Sequence, residues 1–162
     1  MQLEAIAAVY ADWGIGKDGT QSLVIPADRK RFRTLTGGAA IIVGRKTLAD
    51  FPGGKPLPGR TNIVLTSRAV EIEGAIVVHS VRAALEAAEA FPKVFVVGGE
   101  SVYREFLDYC TKLHLTRIDA RPESDKFFPN LEELPGWTLT QKTPEHTHNG
   151  VNYDFREYTP NV

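Results

Sequence analysis

The chain has 162 residues, 43% of them hydrophobic and 24% charged, and its 19 Lys and Arg against 20 Asp and Glu leave a net charge of −1. This composition provides a hydrophobic core for one domain and excludes an intrinsically disordered chain. The near-neutral charge argues against a nucleic-acid-binding surface. The single cysteine, Cys110, excludes an intrachain disulfide and a multi-thiolate zinc site.

Residues 1–12 lack the basic segment and the long apolar run of a signal peptide or membrane span. We therefore expect a cytoplasmic protein with no nucleic-acid or membrane partner. The four histidines do not form a metal-ligand pattern, so we also expect no metal.

Six short runs rich in apolar and β-branched residues predict strands at 3–9, 39–43, 62–65, 75–78, 93–97 and 112–118. Several are apolar almost throughout, which is typical of parallel strands covered on both faces. Helices are predicted between strands at 27–35, 81–90 and 101–109. Pro26 suits the first position of one helix, and Ser80 can cap another.

The tail, residues 137–158, predicts two more strands joined through the polar segment 146–150. The predicted fold is a single α/β domain spanning 1–162. Its central sheet is mixed and mostly parallel, with about eight strands, about four flanking helices and a C-terminal antiparallel hairpin.

Two loops that follow predicted strands combine cations with hydroxyl groups. Residues 44–47 (GRKT) leave one strand through a glycine, and residues 65–68 (LTSR) end the next. Such groups at a strand end or helix start are suited to binding a phosphate. Taken alone, each pattern is also consistent with solvated loop residues and a helix cap.

A diglycine, Gly98-Gly99, separates a predicted buried strand from the helix near Ser101. Glycines at this point allow a ligand to approach the backbone closely. The spacing is neither the G-x-G-x-x-G fingerprint nor a P-loop. A tight turn alone would also explain the pair.

Asp28 falls in the first turn of the helix that begins near Pro26. It either complements the helix dipole or faces the crevice at the carboxyl ends of the strands, where α/β sheets bind ligands. In the crevice, with Ile6, Ile25 and Phe32 as apolar neighbours, its carboxylate could accept paired hydrogen bonds from an amidine-like heterocycle edge.

Together these segments resemble the dihydrofolate reductase family, in the same order and over nearly the whole chain. The residues that carry the resemblance are 6–8, 14–16, 25–28 with Phe32, 44–47, 57–60, 62–65, 97–103, 115–119 and 125–129. The resemblance implies an α/β monomer that reduces 7,8-dihydrofolate to tetrahydrofolate. Hydride would pass from C4 of NADPH to C6 of the pterin, with protonation at N5.

The resemblance also implies roles for residues on the substrate side. Asp28 resembles the carboxylate that binds the pterin 2-amino group and N3, and Thr116 the hydroxyl that supports it. Arg60 resembles the partner of the substrate's glutamate α-carboxylate, a bidentate contact. The other residues implied for the substrate are Ile6, Ala7, Arg29, Phe32, Phe51 and Leu57, of which the last three would line the aminobenzoyl channel.

On the cofactor side, residues 44–47 resemble the contacts to the pyrophosphate and the adenosine phosphate. Ser67 and Arg68 resemble the 2′-phosphate site, which favours NADPH over NADH. Gly98-Gly99 corresponds to the family's cis Gly-Gly peptide. The residues implied for the cofactor are Ala8, Ile15, Gly16, Gly44, Arg45, Lys46, Thr47, Leu65, Thr66, Ser67, Arg68, Val97, Gly98, Gly99, Glu100, Ser101, Val102 and Tyr103.

The loop 11–22 resembles the family's mobile lid over the nicotinamide, and Asp125 matches the carboxylate that holds the lid closed. Three positions depart from the family pattern. Leu23, counted with Asp28 and Thr116 as catalytic, stands where most bacterial members have a tryptophan, so a water link from the indole to the substrate is lost. Arg29 replaces an apolar residue. Ser124 replaces a glycine, which would alter the motion of the lid.

The side chain of Arg29 has two possible directions. It either folds toward Asp28, which would lower the pKa of that carboxylate, or reaches the substrate's glutamyl tail.

Two other functions stay open from the sequence. One is the related pyrimidine reductase of riboflavin synthesis, which would need neither the carboxylate of Asp28 nor the guanidinium of Arg60. The other is a non-catalytic pteridine- or nucleotide-binding module, which the departures at Leu23 and Arg29 would suggest.

Overall fold

Strands and helices alternate along the first two thirds of the chain in the computed structural model, which describes residues 1–161. The elements in chain order are β1 (Gln2–Tyr10), β2 (Gly14–Gly16), α1 (Pro26–Thr36), β3 (Ala40–Gly44), α2 (Arg45–Ala49), β4 (Thr61–Leu65), β5 (Ala75–Val78), α3 (Val81–Ala88), β6 (Lys93–Val96), α4 (Glu100–Phe106), β7 (Lys112–Ile118), β8 (Lys126–Phe127), β9 (Trp137–Lys142), β10 (His146–His148) and β11 (Val151–Pro160). Single 3₁₀ turns cover Pro52–Gly54 and Leu107–Tyr109.

The starts of two helices follow the predicted signals. Pro26 occupies the first turn of α1, where its missing N–H has no partner to lose. The hydroxyl of Ser80 accepts a hydrogen bond of 3.0 Å from the amide of Ala83 and caps α3. Both helix starts were therefore predictable from single residues.

The central sheet has the strand order β10-β11-β7-β1-β6-β3-β4-β5, with β9 paired to β11 as well. All pairs from β7 to β5 are parallel, and the three pairs made by β11 are antiparallel. The mixed, mostly parallel sheet with an antiparallel C-terminal edge is confirmed.

The C-terminal tail differs from the prediction of two strands joined through residues 146–150. It forms three strands, because His146–His148 is itself β10 and pairs with the start of β11. The turn consists of Asn149 and Gly150, both at positive φ (49° and 77°), a conformation typical of tight hairpins. The strand β10 is polar because it lies at an exposed edge, so its composition resembled that of a loop.

A second sheet, of only two strands, was not predicted. It pairs β2 with β8 and joins the loop after β1 to the loop after β7. Both strands are too short, and β2 too rich in glycine, for the strand pattern to be visible in the sequence.

Helices cover both faces of the central sheet. Alternate residues of β1, such as Leu3 and Ala5, pack in one cluster with Ala84 of α3 and Phe106 of α4. Ile6, which points the other way, packs in a second cluster to which α1 contributes. Within residues 1–161, no helix has the length and apolar composition needed to cross a bilayer.

Candidate active site

The carboxyl ends of three parallel strands meet at one edge of the sheet. The amide of Gly44, at the end of β3, donates a hydrogen bond of 2.9 Å to the carbonyl of Gly98, which follows β6. The Gly98-Gly99 peptide is cis, as the resemblance implied. A Cβ on Gly99 would lie only 2.9 Å from Oγ1 of Thr47, so glycine lets α2 approach this turn closely.

A groove of about 680 Å³ opens beside this turn. It brings together most of the residues implied for the cofactor: Gly44, Arg45, Lys46, Thr47, Leu65, Thr66, Ser67, Arg68, Gly99, Glu100, Ser101 and Val102. It is also lined by residues that the sequence did not indicate: Gly19, Asp50, His79, Ser80, Glu105 and Lys126. The segments that follow β3, β4, β5 and β6 therefore converge, as the strand order requires, and Gly19 and Lys126 join them from two further loops.

The charge of this groove fits a phosphate-bearing ligand. Within residues 1–161, Arg45, Lys46 and Arg68 take part in no ion pair. The hydroxyl of Thr66 accepts a hydrogen bond of 3.1 Å from the amide of Arg68 and fixes the turn after β4. Unpaired cations on a fixed turn can pair with phosphate oxygens without first breaking an internal ion pair.

Several residues implied for the cofactor lie outside the groove lining. Val97 and Tyr103 are buried, and the Tyr103 hydroxyl donates a hydrogen bond of 2.7 Å to the carbonyl of Ile6. Burial and the nearby charge of Asp28 raise the pKa of this phenol, which therefore stays a hydrogen-bond donor. The positions of the others are as follows: Gly98 is in the cis turn, Ala8 and Ile15 pack at the core edge, and Gly16 lines a separate cavity of about 310 Å³.

Asp28 is partly buried, and the hydroxyl of Thr116 donates a hydrogen bond of 2.6 Å to its Oδ1 atom. Burial raises the pKa of this carboxyl, while the Thr116 hydrogen bond and the charges of Arg29 and Arg31 oppose the rise. Asp28 also lies in the first turn of α1, where it complements the helix dipole, but that role alone does not require its burial or its hydrogen bond to Thr116. The structure joins the two predicted residues across α1 and β7.

Arg29 does not hold Asp28 in an ion pair. Its side chain is exposed, and within the described part of the chain it makes no salt bridge. The pKa of Asp28 is raised rather than lowered because the cost of burying the carboxylate exceeds the attraction of the nearby cations. Of the two directions open to Arg29, folding onto Asp28 is not the one observed.

An apolar cluster includes Phe32, which lies one turn after Asp28 on α1. Phe32, Phe51 and Leu57, each partly buried, pack there with Ile6. Beside the cluster, the guanidinium carbon of Arg60 lies 5.8 Å from the centre of the Phe32 ring. Arg60 donates from Nε to Thr36 Oγ1 (3.0 Å) and from Nη1 to the carbonyl of Pro58 (2.8 Å). The guanidinium is thereby held in one orientation, which favours a planar partner such as a carboxylate.

Two predicted residues contribute less directly. The side chain of Ala7 packs in the cluster on the α3 and α4 side of the sheet, so only its backbone is available to the crevice. Leu23 packs beside Tyr10 and Ala27, and its amide lies 3.5 Å from the Tyr10 hydroxyl. Leu23 therefore offers an apolar side chain at the position where an indole N–H would be available if the residue were a tryptophan.

The loop after β1 is held by the loop that carries Asp125. The amide of Asp18 donates to Asp125 Oδ2 (3.2 Å), and the amide of Asp125 donates to the carbonyl of Gly16 (2.9 Å). Ser124 packs so closely that a Cβ on Gly14 would meet its Oγ at 2.2 Å. The loop and Asp125 therefore meet as the resemblance implied.

Sequence reasoning missed three polar residues of the crevice. Gln21 donates from Nε2 to the carbonyl of Ala8 (3.0 Å), Thr36 holds Arg60, and Arg31 lies near Asp28. Only Arg31 left a signal in the sequence, because a residue three positions after Asp28 lies on the same helix face. The contacts of Gln21 and Thr36 depend on the tertiary fold.

Metal ligands do not converge in the part of the chain that the structure describes: it contains no group of three or more His, Cys, Asp or Glu suited to hold an ion. The arrangement instead combines a partly buried carboxylate, an apolar cluster flanked by an arginine, and a cationic groove.

Comparisons with known proteins agree with this geometry. A family model described as "Dihydrofolate reductase" matches residues 2–160. The chain is 36% identical to dihydrofolate reductase HdrB of Haloferax volcanii, covering 94% of this chain and 82% of that one. It is 35% identical to the dihydrofolate reductase of Bacillus subtilis, covering 94% and 91%.

Among solved structures, it is similar to dihydrofolate reductase from Enterococcus faecalis complexed with NADP(H) and RAB-propyl. The TM-score is 0.90 at 33% identity, over 99% of this chain and 97% of that one. From the family match over nearly its whole length and from these relatives, the chain belongs to the dihydrofolate reductase family.

Proposed function

We propose that this chain reduces 7,8-dihydrofolate to 5,6,7,8-tetrahydrofolate with NADPH, and that Asp28 is the group that binds the pterin. The observation that carries the proposal is the pairing of a partly buried Asp28 with Thr116, next to the apolar cluster of Phe32, Phe51 and Leu57. The product would supply one-carbon metabolism and so the synthesis of thymidylate and purines.

On the substrate side, Asp28 accepts hydrogen bonds from the 2-amino group and N3 of the pterin. Thr116 fixes the carboxyl plane through Oδ1. Because burial has removed much of the water around this carboxyl, N–H donors from the substrate replace lost hydration, and their charge-assisted hydrogen bonds are strong.

The carboxylate cannot itself deliver the proton to N5. A group bound at the 2-amino side of the pterin lies across the ring system from N5, so the proton arrives through water. Leu23 offers no side-chain donor to such a water. Asp28 therefore orients and polarises the pterin, and solvent access at the lid decides proton delivery.

The substrate's tail is held away from the reacting ring. Phe32, Phe51 and Leu57 pack along the aminobenzoyl group, and Arg60 pairs with the α-carboxylate of the glutamate. The contacts of Arg60 with Thr36 and Pro58 support this role because they orient the guanidinium before the substrate binds. Arg29 lies exposed on α1, the helix that also carries Phe32.

NADPH, when bound, supplies the hydride from C4 of its nicotinamide. Arg45, Lys46 and Arg68 pair with its phosphates, with hydroxyls of Thr47, Thr66 and Ser67 as further donors. Gly98, Gly99 and the amides at the start of α4 bring the backbone close. Ala8, Ile15 and Tyr103 flank the nicotinamide, and the loop 11–22 excludes water from the transfer.

We further propose that the chain acts as a single domain over 1–162, as a monomer in the cytoplasm, and without a nucleic-acid partner. The net charge of −1 supports the last of these. The single chain contributes both the carboxylate and the cationic groove, so a second copy is not needed to complete the site.

The test is the loss of absorbance at 340 nm when purified protein is mixed with NADPH and dihydrofolate, beside an NADH control. We expect oxidation that depends on dihydrofolate and is much slower with NADH. Activity on a ribosylaminopyrimidine and none on dihydrofolate would instead indicate a pyrimidine reductase. Saturable NADPH binding without turnover would indicate a binding module.

A further inference from the structure

Two neighbouring rows of the sheet lie under α1. In the first row Thr116 of β7 is opposite Phe155 of β11, and in the second His114 is opposite Glu157. Residues two apart on a strand share a face, so all four side chains point the same way. Asp28 binds Thr116 in the first row. The next residue on the same helix face, three positions on, is Arg31.

Arg31 bridges the two rows. Its guanidinium carbon lies 4.6 Å from the centre of the Phe155 ring, a cation–π distance, and its Nη2 lies 4.0 Å from Oε1 of Glu157. Only 22% of the side chain is exposed. Its Nη1 atom is buried and, within residues 1–161, has no hydrogen-bond partner. The cation is therefore held close to the sheet rather than projecting into solvent.

Glu157 in turn belongs to a buried group of charges. Nδ1 of His114 lies 3.7 Å from Glu157 Oε1, and Nε2 of His114 lies 2.6 Å from Oε1 of Glu4 on β1. Lys112 and Lys93 approach the two carboxylates from the rim, each at 3.9 Å. Burial lowers the pKa of His114, against the hydrogen bond and the charge of Glu4, which favours the neutral ring.

With His114 neutral, Arg31 is the cation that faces both Glu157 and Asp28. The groups that act on the Asp28 carboxyl are Thr116 from β7 and Arg29 and Arg31 from α1 itself, and the charge of Asp28 in turn acts on Tyr103 of α4. Both cations lower the pKa of Asp28, Arg29 more than Arg31, but Arg29 is exposed, so added salt can screen its charge. Arg31 is mostly buried, and its charge is screened far less.

We propose that Arg31, held by Phe155 and Glu157, is a positioning residue that favours the ionised form of Asp28. Its charge favours the ionised carboxylate that the pterin N–H groups require, against the burial that disfavours it. Glu157 acts in the opposite sense, because its negative charge partly neutralises Arg31. The role of Asp28 rests on the proposed function, whereas its titration in the free protein does not.

The direct test is a ¹³C NMR titration of the Asp28 carboxyl in the ligand-free full chain. Arg31→Gln removes the cation, and the midpoint of the Asp28 titration in this variant should lie at higher pH than in the parent protein. Glu157→Gln keeps the cation and removes its counter-charge, so its midpoint should move to lower pH. Arg31→Lys, which keeps a charge, should return the midpoint toward the parent value.

Lys30→Gln is the matched control, because Lys30 is an exposed cation next to Arg31 on the same helix. Lys30→Gln should move the midpoint less than Arg31→Gln does, and 0.5 M salt should remove the small shift that Lys30→Gln causes. Shifts of equal size for the two variants, or shifts in the same direction for Arg31→Gln and Glu157→Gln, would overturn the proposal. A purely structural role would not give opposite shifts.

The kinetic arm separates this proposal from the proposed function. The pH profile of kcat/KM for dihydrofolate should shift in the same directions as the NMR midpoints. A parent protein that does not reduce dihydrofolate would refute the function and leave the NMR result standing. An active parent whose midpoint is unchanged by Arg31→Gln would refute only the role of Arg31. If Arg31→Gln does not fold, the proposal is tested by Glu157→Gln alone, and a midpoint that does not move to lower pH would refute it.

Discussion

The substrate side and the cofactor side of the crevice are built in different ways. Asp28 and Arg60 are each held by internal hydrogen bonds, to Thr116, Thr36 and Pro58. Arg45, Lys46 and Arg68 are in no ion pair within residues 1–161 and line an open groove. The substrate side thus relies on a few groups that are each held in place, whereas on the cofactor side several cations act together on one ligand. Single substitutions should therefore cost more on the substrate side.

The largest effect is expected for Asp28→Asn. The amide oxygen can still accept from Thr116, but the charge that attracts the pterin N–H groups is lost. We expect kcat/KM for dihydrofolate near pH 7 to fall by about 10²-fold or more. NADPH affinity, measured by fluorescence titration, should be unchanged. Equal losses in both quantities would contradict the division between the two sides.

The same variant should not be less stable. Because the pKa of Asp28 is raised by burial, the folded state binds the proton more tightly than the unfolded state. The contribution of the Asp28 carboxyl to the stability of the folded state is therefore present at low pH and is lost as pH rises through the pKa of the folded state. Asp28→Asn removes this loss. Thermal melts near pH 8 should therefore give a Tm at or above that of the parent protein. A markedly lower Tm would argue against a carboxylate that burial destabilises.

The second largest effect is expected for Arg60→Gln. A bidentate, charge-assisted contact is worth about 1.5 to 3 kcal/mol, which corresponds to roughly a ten- to hundredfold rise in KM for dihydrofolate. Because Arg60 is remote from the reacting ring, kcat should change little. Arg60→Lys keeps the charge and loses the fork, so it should recover only part of the affinity. Full recovery would show that orientation by Thr36 and Pro58 is irrelevant.

A smaller effect is expected for Arg68→Gln, because Arg45 and Lys46 share the phosphate charge. We expect Kd for NADPH to rise by about tenfold. NADH, which lacks the 2′-phosphate, is the matched control ligand, and its Kd should stay the same. A parallel loss for both cofactors would place Arg68 at the pyrophosphate instead.

The smallest effect is expected for Asp125→Asn. The neutral amide oxygen can still accept from the amide of Asp18, but without charge assistance, a loss of about 1 kcal/mol or less. Hydrogen exchange at Asp18 should accelerate by several-fold, with dihydrofolate affinity unchanged. Unaltered exchange would mean that the pairing of β2 with β8 holds the loop without Asp125.

Much of the fold follows from local sequence signals. Pro26 and Ser80 mark helix starts, and the apolar runs mark the buried parallel strands. The exceptions are exposed or very short elements: β10, whose polar residues resembled a loop, and the pair β2 and β8. Strand pairing at an edge depends on the partner strand, which composition does not reveal.

The site was predictable where a family motif contains the residue. Asp28 with Thr116, and the groove residues, meet as expected. The contacts of Gln21 and Thr36, and the charged cluster from Glu4 to Glu157, were not predictable, since they join elements that only the tertiary fold brings together. The raised pKa of Asp28 was not predictable either, because it results from burial, which the sequence does not show. The neighbouring Arg29 suggested a shift in the opposite direction.

The most direct test of the central claim is the fate of the transferred hydrogen. Dihydrofolate is incubated with the protein and NADPH carrying deuterium at the transferable C4 position, and the product is analysed by NMR and mass spectrometry. We predict tetrahydrofolate with one deuterium at C6 and solvent hydrogen at N5. Recovery of unlabelled product, or of deuterium at any other carbon, would contradict hydride transfer from the groove to the pterin held by Asp28.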